Sequence, residues 1–505
     1  MRCRAFPASA IAVVLTLLVA SCAVKPKPDV TPKPAGPVPG VPALQADLAS
    51  YYKIPAFENA VWGVLVRSIK TGETLYEQNA GTLLMPASNM KVVTMAVAAE
   101  RLGWNKTFDT TLLATGPIEN GVLKGDLIVV GSGDPSLGGR PAAETPAFDA
   151  WAAALKAKGI TAIRGRVIGD DRAFEPQGLG AGWAWDFLSA GYATPTGALD
   201  FNENTVQVTI RPGARAGDFA AVELVPGGSG LVVESDARTG AEGSPASVDV
   251  DRMAGSQVLR VTGSLPVGRA PVVRTMSVDS PTLTFVSVLR QTLSMAGIPV
   301  AGDAVDIRSL RTAPDVKAAS ILLTHTSQPL SQILKLTLKV SQNLYADTFL
   351  RLLGCGDTAA PCTTRAGIKA VQQVLQGWGI APDRYVMVDG SGLSRYNYVT
   401  PTLMVTVLSK MQADERHRAF FTDALPLAGV DGTISSRMRD TRAQGNARAK
   451  TGSISNARAL SGFVTSADGE PLVFSMIVNN FNVPQAEADR VIDRAVVRLA
   501  EFKRR

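Results

Sequence analysis

Histidine is nearly absent from this chain of 505 residues, which contains only His325 and His417. A Ser-His-Asp triad needs a histidine base, and neither residue lies in a catalytic-looking context, so we do not expect that triad. A zinc site is disfavoured on the same ground, because no histidine lies near a cysteine pair. We interpret both histidines as surface or packing residues and predict no metal and no cofactor.

Long apolar runs are also lacking, and the one notable run, Ala8 to Ala20, is too short to span a membrane. Arg2 and Arg4 precede it, which is typical of a signal peptide. The run ends in Val-Ala-Ser-Cys, which resembles a bacterial lipobox in which Cys22 is lipidated. Ordinary signal cleavage beside an incidental cysteine is the alternative. We predict a signal peptide with a lipobox over residues 1–22.

The segment after Cys22 is rich in proline, with seven prolines between Pro26 and Pro42. Such a stretch cannot pack a core and favours an extended tether of about 3 Å per residue. We therefore predict a Pro-rich linker over residues 23–41. The protein is expected to be exported and periplasmic, held at a bacterial membrane by a lipid anchor.

Cysteine is scarce too. Besides Cys3 and Cys22 in the export segment, the chain has only Cys355 and Cys362, which flank the loop GDTAAP. Because an exported protein can keep a disulfide, we predict a Cys355–Cys362 bridge in preference to two free thiols.

Runs of Lys or Arg are missing, although the net charge is +7. The basic residues are scattered, without the basic stripe typical of nucleic-acid binders, so we expect no nucleic-acid partner. With 46% hydrophobic and 19% charged residues, the composition is that of a globular chain. The length of the chain suggests more than one domain.

The pattern of apolar residues changes along the chain. Near the N-terminus it predicts a short helix at 43–53, a hairpin at 61–80 and a buried helix at 91–103. Helical patterns return from Leu330, and the C-terminal part predicts a hairpin around Asp468-Gly469 and then a last helix. That helix places five apolar residues on one face: Ala488, Ile492, Val496, Leu499 and Phe502.

Between these helical parts, short β-like runs alternate with Gly, Pro and Asp turns, with one helix near 281–297. This order indicates a domain that is interrupted in sequence. We predict an α/β (α+β) fold in which residues 42–107 and 314–505 form one discontinuous domain. Residues 108–313 form a β-rich insertion with two subdomains.

Three short patterns carry the candidate chemistry, in this order: Ser88-x-x-Lys91, Ser341-x-Asn343 and Lys450-Thr451-Gly452. A serine hydroxyl is a poor nucleophile without an adjacent base. Residues three apart share a helix face, so Lys91 can lie beside Ser88, and burial would lower the pKa of the lysine towards that of a useful base. The second pattern, the one Ser-x-Asn in the chain, falls between two helical runs.

Two of these patterns occur twice. Ser50-x-x-Lys53 follows the proline-rich stretch on a short helix, whereas Ser88 opens a long apolar helix. Lys70-Thr-Gly72 lies at the predicted hairpin turn, where a lysine is normally solvated and a glycine serves backbone geometry. We therefore assign the chemistry to Ser88 and to Lys450.

At this point the sequence, from about residue 42 to the C-terminus, resembles a known family: the low-molecular-mass class C penicillin-binding proteins, which are D-alanyl-D-alanine carboxypeptidase/endopeptidases. The resemblance rests on the three motifs and on three further stretches, DGSGLSR (389–395), LAGVDGT (427–433) and GSGDPSL (131–137). A gap of 253 residues between the first two motifs (341 − 88) matches the large insertion of that family. The fold implied is a β-lactamase/transpeptidase-like domain with an antiparallel sheet and a helical lobe.

The resemblance also implies roles. Ser88 would attack the bond between the two terminal D-alanines of a peptidoglycan stem peptide, and Lys91 would accept its proton. Ser341 and Asn343 would relay a proton to the leaving group and bind the peptide amide. Lys450 would polarise that relay and, with Thr451, receive the substrate carboxylate. Gly452 and Ser453 complete the substrate-binding strand, and backbone N–H groups of Ser88 and Ser453 would form the oxyanion hole.

A side-chain pocket for the diamino acid of the stem peptide is implied as well. Arg395 matches an arginine that the family uses there, although a structural salt bridge is the alternative. Asp170 and Phe174 are candidates for the other contacts, with Asp171 an equally good choice for the carboxylate. β-Lactam antibiotics would be covalent inhibitors.

Two other functions compete with this reading. A β-lactamase of class A needs a deacylating glutamate, usually in a Glu-x-x-Leu-Asn loop, and no such string occurs. A non-catalytic penicillin-binding lipoprotein of the same fold would have no need of three intact motifs.

Overall fold

The computed structural model describes residues 40–138, 145–356 and 360–504. The predicted signal peptide, with Cys22, and nearly all of the predicted linker lie outside the described residues. The first helix begins at Val41, the last residue of the range predicted as linker.

The helices follow the predicted order, with two additional ones, and have these bounds: α1 Val41–Tyr52, α2 Met90–Leu102, α3 Pro146–Ala157, α4 Pro281–Met295, α5 Leu330–Val340, α6 Asn343–Leu352, α7 Thr364–Gly377, α8 Pro401–Ala413, α9 Glu415–Ala424 and α10 Gln485–Glu501. The additional helices are α3 and α9. In the part of the chain that the structure describes, no helix is long and apolar enough to cross a membrane.

The strands are β1 Val61–Ser68, β2 Thr74–Gln78, β3 Asp109–Ala114, β4 Ile118–Glu119, β5 Val122–Leu123, β6 Leu127–Gly131, β7 Ala162–Ile163, β8 Val167–Asp170, β9 Thr205–Arg211, β10 Ala221–Val225, β11 Val232–Ser235, β12 Arg238–Gly240, β13 Asp249–Asp251, β14 Val258–Thr262, β15 Ser264–Pro266, β16 Val272–Ser277, β17 Ala304–Asp306, β18 Ser320–Thr326, β19 Tyr385–Val386, β20 Tyr398–Val399, β21 Arg448–Ile454, β22 Ala457–Thr465 and β23 Pro471–Asn479.

A five-stranded antiparallel sheet joins the two ends of the chain in the order β2-β1-β23-β22-β21. Strands β22 and β23 are buried along nearly their whole length, because helices cover both faces of the sheet. Helices α1 and α10 contribute to the hydrophobic core on one face, and α2 and α8 contribute to the core on the other. This arrangement confirms the predicted mixture of an antiparallel sheet and a helical lobe.

The two elements nearest the motifs follow from local sequence. Residues Met90 to Ala99 of α2 are all buried, and the helix stops at Gly103, which has a φ of +77° that favours glycine. The apolar face predicted for α10 is confirmed, since Ala488, Ile492, Val496, Leu499 and Phe502 are fully buried against the sheet.

The region between α2 and α5 builds sheets of its own. A second five-stranded sheet has the order β17-β8-β6-β3-β18 and shares a hydrophobic core with α3 and α4. Strand β9 lies between β10 and β16 over a separate core. Because β18 pairs with β3, the second sheet extends to Thr326, beyond the boundary predicted at residue 313.

Candidate active site

Ser88 lies in the 3₁₀ turn Ala87–Asn89, immediately before α2. Ala87 has a φ of +47°, a left-handed conformation that is costly for a residue with a side chain and is often found at functional sites. The turn is packed tightly against the DGSGLSR loop: a Cβ added to Gly392 would lie 1.8 Å from the carbonyl oxygen of Ala87. The backbone around Ser88 is therefore held closely against this loop.

Lys91 is fully buried, and its Nζ has three polar neighbours. It lies 2.8 Å from Oγ of Ser88, 2.6 Å from Oδ1 of Asn343 and 2.8 Å from the carbonyl oxygen of Ser391. The helix-face spacing predicted the first contact, and the other two bring in residues from α6 and from the DGSGLSR loop.

Burial lowers the pKa of Lys91 to about 7, because a low-dielectric site disfavours the charged ammonium. The carboxylates of Asp347 and Asp389 act in the opposite direction and raise that pKa. Both protonation states of the lysine are therefore populated near neutral pH.

The three neighbours of Lys91 differ in what they can donate. The amide oxygen of Asn343 and the carbonyl oxygen of Ser391 can only accept hydrogen bonds. A neutral lysine has two N–H donors for these two oxygens and one lone pair left. Ser88 is the one neighbour with a proton to offer, so the lone pair faces the Ser88 hydroxyl. This is the arrangement required of a nucleophile and its base.

Ser341 ends α5 in the left-handed conformation, with a φ of +63°, and Gln342 caps α6 through a bond from the Leu344 N–H. The Ser-x-Asn motif thus turns between two helices, as predicted. The region between α2 and α5 contacts this turn directly: the side-chain amide of Gln342 donates to the carboxylate of Glu203. In addition, Nδ2 of Asn343 donates to the carbonyl oxygen of Tyr192 at 2.7 Å.

Lys450 is fully buried on the edge strand β21, and its Nζ lies 2.8 Å from Oγ of Ser341. Burial lowers its pKa well below the ordinary value, and the neighbouring charge of Lys91 lowers it further. The side chain of Asn89 joins this strand to the nucleophile turn, because its Nδ2 donates to the Lys450 carbonyl oxygen at 2.9 Å.

Gly452 has a packing role. A Cβ at this position would lie 2.2 Å from the carbonyl oxygen of Pro86, so only glycine lets β21 approach the turn that carries Ser88. The residue is buried and is not among the residues that line the cleft described next, so its contact with substrate stays a prediction.

A cleft of about 440 Å³ opens at Ser88. Its walls bring together residues predicted for the site (Ser88, Ser341, Asn343, Arg395, Thr451, Ser453) and others that were not predicted as site residues (Phe187, Tyr192, Leu393, Thr433, Arg437, Ile454, Ser455, Asp489). Lys91 and Lys450 do not line the cleft, and the two aromatic residues come from the region between α2 and α5. Thr433 belongs to the quoted LAGVDGT stretch, and its hydroxyl bonds that of Thr451 at 2.8 Å.

Arg395 lines the cleft and donates to the carbonyl oxygen of Ser455 at 3.0 Å. Across residues 40–138, 145–356 and 360–504, no carboxylate lies within ion-pair distance of its guanidinium. The alternative of a structural salt bridge is thus not what the structure shows.

Asp170 and Phe174 are placed elsewhere. Phe174 has no exposed surface and packs in the helical core. Asp170 is buried in a two-bond pair with Arg172, and Asp171 pairs with Arg308. None of the three lines the cleft, so their contact with the diamino acid stays a prediction that the cleft does not support.

The remaining predicted residues lie in other parts of the fold. Cys355 and Cys362 are paired as a disulfide beyond the end of α6. His417 is buried between Trp104, which donates to its Nδ1, and Glu100, which lies 2.8 Å from its Nε2. His325 packs its ring edge-on against Trp151.

A fully buried lysine beside a single serine, on a fold with an antiparallel sheet and a helical lobe, is the arrangement that a serine hydrolase with a lysine base requires. Comparison with known proteins agrees. Residues 44–502 match the model of the D-Ala-D-Ala carboxypeptidase 3 (S13) family. The chain belongs to this family of serine peptidases.

Individual relatives cover most of the chain. A D-alanyl-D-alanine carboxypeptidase of Actinomadura sp. (strain R39) is 36% identical, over 91% of this chain and 85% of the relative. The D-alanyl-D-alanine carboxypeptidase DacB of Haemophilus influenzae is 28% identical, over 86% of this chain and 88% of the relative. The crystal structure of penicillin-binding protein 4 (dacB) from H. influenzae superposes with a TM-score of 0.77 at 28% identity, covering 90% of this chain and 99% of that one.

A second crystal structure of the H. influenzae protein was solved in complex with a β-lactam. It superposes with a TM-score of 0.72 at 27% identity, over 90% of this chain and 99% of that one. The predicted family and the β-lactamase/transpeptidase-like fold are therefore confirmed.

Proposed function

We propose that this chain is a serine D-Ala-D-Ala carboxypeptidase/DD-endopeptidase that cleaves peptidoglycan stem peptides through an acyl-enzyme. The observation that carries the proposal is the 2.8 Å contact between Oγ of Ser88 and the buried Nζ of Lys91 at the cleft. Family membership over residues 44–502 supports the D-Ala-D-Ala specificity.

In the acylation step, neutral Lys91 takes the proton of Ser88 while Oγ attacks the carbonyl carbon between the two D-alanines. The oxyanion is received by the backbone N–H groups of Ser88 and Ser453, two residues that line the cleft. Asn343 orients both the base and the substrate, since its Oδ1 contacts Lys91 and its side chain lines the cleft.

Collapse of the tetrahedral intermediate breaks the peptide bond, and the leaving D-alanine amine needs a proton. We propose that the proton held by Lys91 reaches this amine through the Ser341 hydroxyl, so that Lys91 is neutral again and Ser341 has regained the proton it gave. Nζ of Lys450 lies 2.8 Å from Oγ of Ser341, and the lowered pKa of Lys450 suits a group that supports this relay without holding the proton. The substrate carboxylate is received by Thr451 and its partner Thr433 on the outer side of β21. Water then hydrolyses the ester and frees Ser88. With a β-lactam the ester persists, so these drugs are expected to inhibit.

Arg395 is proposed as a contact for the stem-peptide diamino acid, since it lines the same cleft and forms no ion pair with the described carboxylates.

We further propose a periplasmic enzyme that is exported through residues 1–22 and anchored by lipid at Cys22. The Cys355–Cys362 disulfide suits such an oxidising compartment.

We also propose that the chain divides into a transpeptidase-like domain and an inserted region with two subdomains.

The test is digestion of purified muropeptides with terminal D-Ala-D-Ala and of cross-linked dimers, followed by chromatography. Release of D-alanine supports the carboxypeptidase, and conversion of dimers to monomers supports the endopeptidase; pretreatment with benzylpenicillin should block both. Rapid turnover of a chromogenic cephalosporin without muropeptide cleavage would instead establish a β-lactamase.

A further inference from the structure

One buried carboxylate near the cleft has no part in the steps above. Asp347 lies on α6, four residues after Asn343, and only 7% of its surface is exposed. Its Oδ1 accepts hydrogen bonds from two successive backbone N–H groups, those of Gly390 at 2.7 Å and Ser391 at 3.0 Å. A buried carboxylate that is held in this way fixes the turn whose N–H groups it binds.

That turn supports the candidate base. The carbonyl oxygen of Ser391 accepts from Nζ of Lys91 at 2.8 Å, and the carbonyl oxygen of Gly390 accepts from Oγ1 of Thr94 on α2 at 2.7 Å. Helix α6 therefore sets two of the three neighbours of Lys91, one directly through Asn343 and one indirectly through Asp347.

The cavity beside Asp347 is too small for a ligand, which excludes a ligand-binding role for this residue. The cavity beside it, which Trp183, Arg351 and Asp389 also line, has a volume of about 10 Å³. That is room for about one water molecule and for nothing larger.

We propose that Asp347 is a positioning residue that holds the Gly390-Ser391 turn against Lys91 and places a negative charge behind the base. The proposal rests on the proposed function, since it gives Asp347 a task only if Lys91 is the base for Ser88. It adds to that function a residue outside the three motifs, which acts through Lys91 and does not touch substrate.

The charge of Asp347 affects Lys91 because few other charged groups surround Asp347. Asp347 faces Lys91 from α2, Asp389 from the DGSGLSR loop and Arg351 from its own helix. Asp389 is itself held by the N–H groups of Gly392 and Ser394 and by Trp183. Burial raises the pKa of Asp347 to about 7, and Asp347 in turn raises the pKa of Lys91, so the two groups titrate together.

The test separates charge from anchoring. In Asp347→Asn, Oδ1 can still accept from the two N–H groups, but the charge is lost. We measure the second-order rate of acylation by fluorescent penicillin from pH 5 to 9. The acid limb should move to lower pH by about 1 unit, because an ammonium without its counter-charge loses its proton more readily. In Asp347→Ala the anchor is lost too, so acylation should fall at every pH, about 100-fold.

The matched control is Asp200→Asn. Asp200 is also buried with a pKa raised to about 7, but it bonds Asn204 and Thr348 and not the Gly390-Ser391 turn. This variant should keep the midpoint of the wild-type profile even if it is less stable. An unchanged midpoint in Asp347→Asn, with the protein folded by circular dichroism, would overturn the inference. A wild type that is not labelled at all would overturn the proposed function first, so the two failures are distinguishable.

Discussion

The chain contains two Ser-x-x-Lys sequences in folded helical segments, and the two differ in how deeply their side chains are buried. Ser50 lies on the exposed side of α1, where its hydroxyl donates to the carbonyl oxygen of Asp47 at 2.6 Å, and Lys53 follows the helix in solvent. Ser88 lies on a strained turn beside a fully buried lysine. The same spacing thus yields either an exposed helix surface or a serine in contact with a buried lysine.

The two Lys-Thr-Gly sequences differ in the same way. Lys70 and Gly72 lie in the exposed turn between β1 and β2, whereas Lys450 is buried on β21 with Oγ of Ser341 as its partner. Burial decides the chemistry in both pairs, because it lowers the pKa of a lysine and strengthens its hydrogen bonds. Each comparison can be tested by substituting the corresponding residue in both copies of the motif.

The largest effect is expected at the two serines. Ser88→Ala removes the nucleophile and should abolish covalent labelling by fluorescent penicillin and both muropeptide cleavages. Ser50→Ala removes one exposed hydrogen bond within a helix and should change neither. Gel fluorescence and chromatography measure the two activities. Loss of labelling in Ser50→Ala, with Ser88→Ala still labelled, would show that the nucleophile has been assigned to the wrong copy.

The second largest effect is expected for the two lysines of these sequences, Lys91 and Lys53. Lys91→Ala removes the base and should slow acylation by about 10²–10⁴-fold, the usual range for general base catalysis. Lys53→Ala should leave the rate within twofold of wild type, because Lys53 lies in solvent at the end of α1. Stopped-flow or quenched labelling gives the rate constants. Equal losses in both variants would contradict the role of burial.

The pH dependence of acylation provides a further test of the difference between Lys91 and Lys53. Lys91 must be neutral to accept a proton, and its pKa in the folded protein is lowered to about 7. Acylation should therefore rise with pH and level off above about pH 7, falling about tenfold for each unit below that value. The profile of Lys53→Ala should match that of wild type. A wild-type profile that is flat between pH 5 and 8 would exclude Lys91 as the titrating base.

The smallest effects are expected at the two glycines. Gly452→Ala forces a Cβ against the Pro86 carbonyl, so we expect a loss of about 1–3 kcal/mol in unfolding free energy, with slower labelling. Gly72→Ala meets no atom within 4 Å, but its φ of +74° is unfavourable for alanine by about 1 kcal/mol. Its labelling rate should not change. Urea denaturation measures the stabilities, and slower labelling in Gly72→Ala would contradict the distinction.

Much of the fold could be predicted from the sequence, because the patterns involved are local. The buried helix α2, the turn between α5 and α6 and the last hairpin are encoded in runs of fewer than 25 residues. The helices α3 and α9 were not predicted. In α9 the mean hydropathy is low and few residues are buried, so the apolar periodicity that indicates a helix is weak there.

The candidate site was only partly predictable. Ser88 and Lys91 are three residues apart, so a helix face brings them together, but the other two neighbours of Lys91 lie 252 and 300 residues away. Asp170 and Phe174 were selected from a local string, and nothing in that string indicated that packing would bury Phe174. Tyr192 and Glu203 of the inserted region contact the Ser-x-Asn turn, although no motif marks them.

The sequence by itself determined the family, the order of the three motifs and the local turns that carry them, since residue type and spacing are local properties. Tertiary structure alone decided which copy of each motif is buried, and hence which lysine has a lowered pKa. It also decided that a carbonyl of the DGSGLSR loop, on a turn bonded by Asp347, completes the surroundings of Lys91. The physical reason is that desolvation depends on every element packed around a group, and a short pattern specifies only its own backbone.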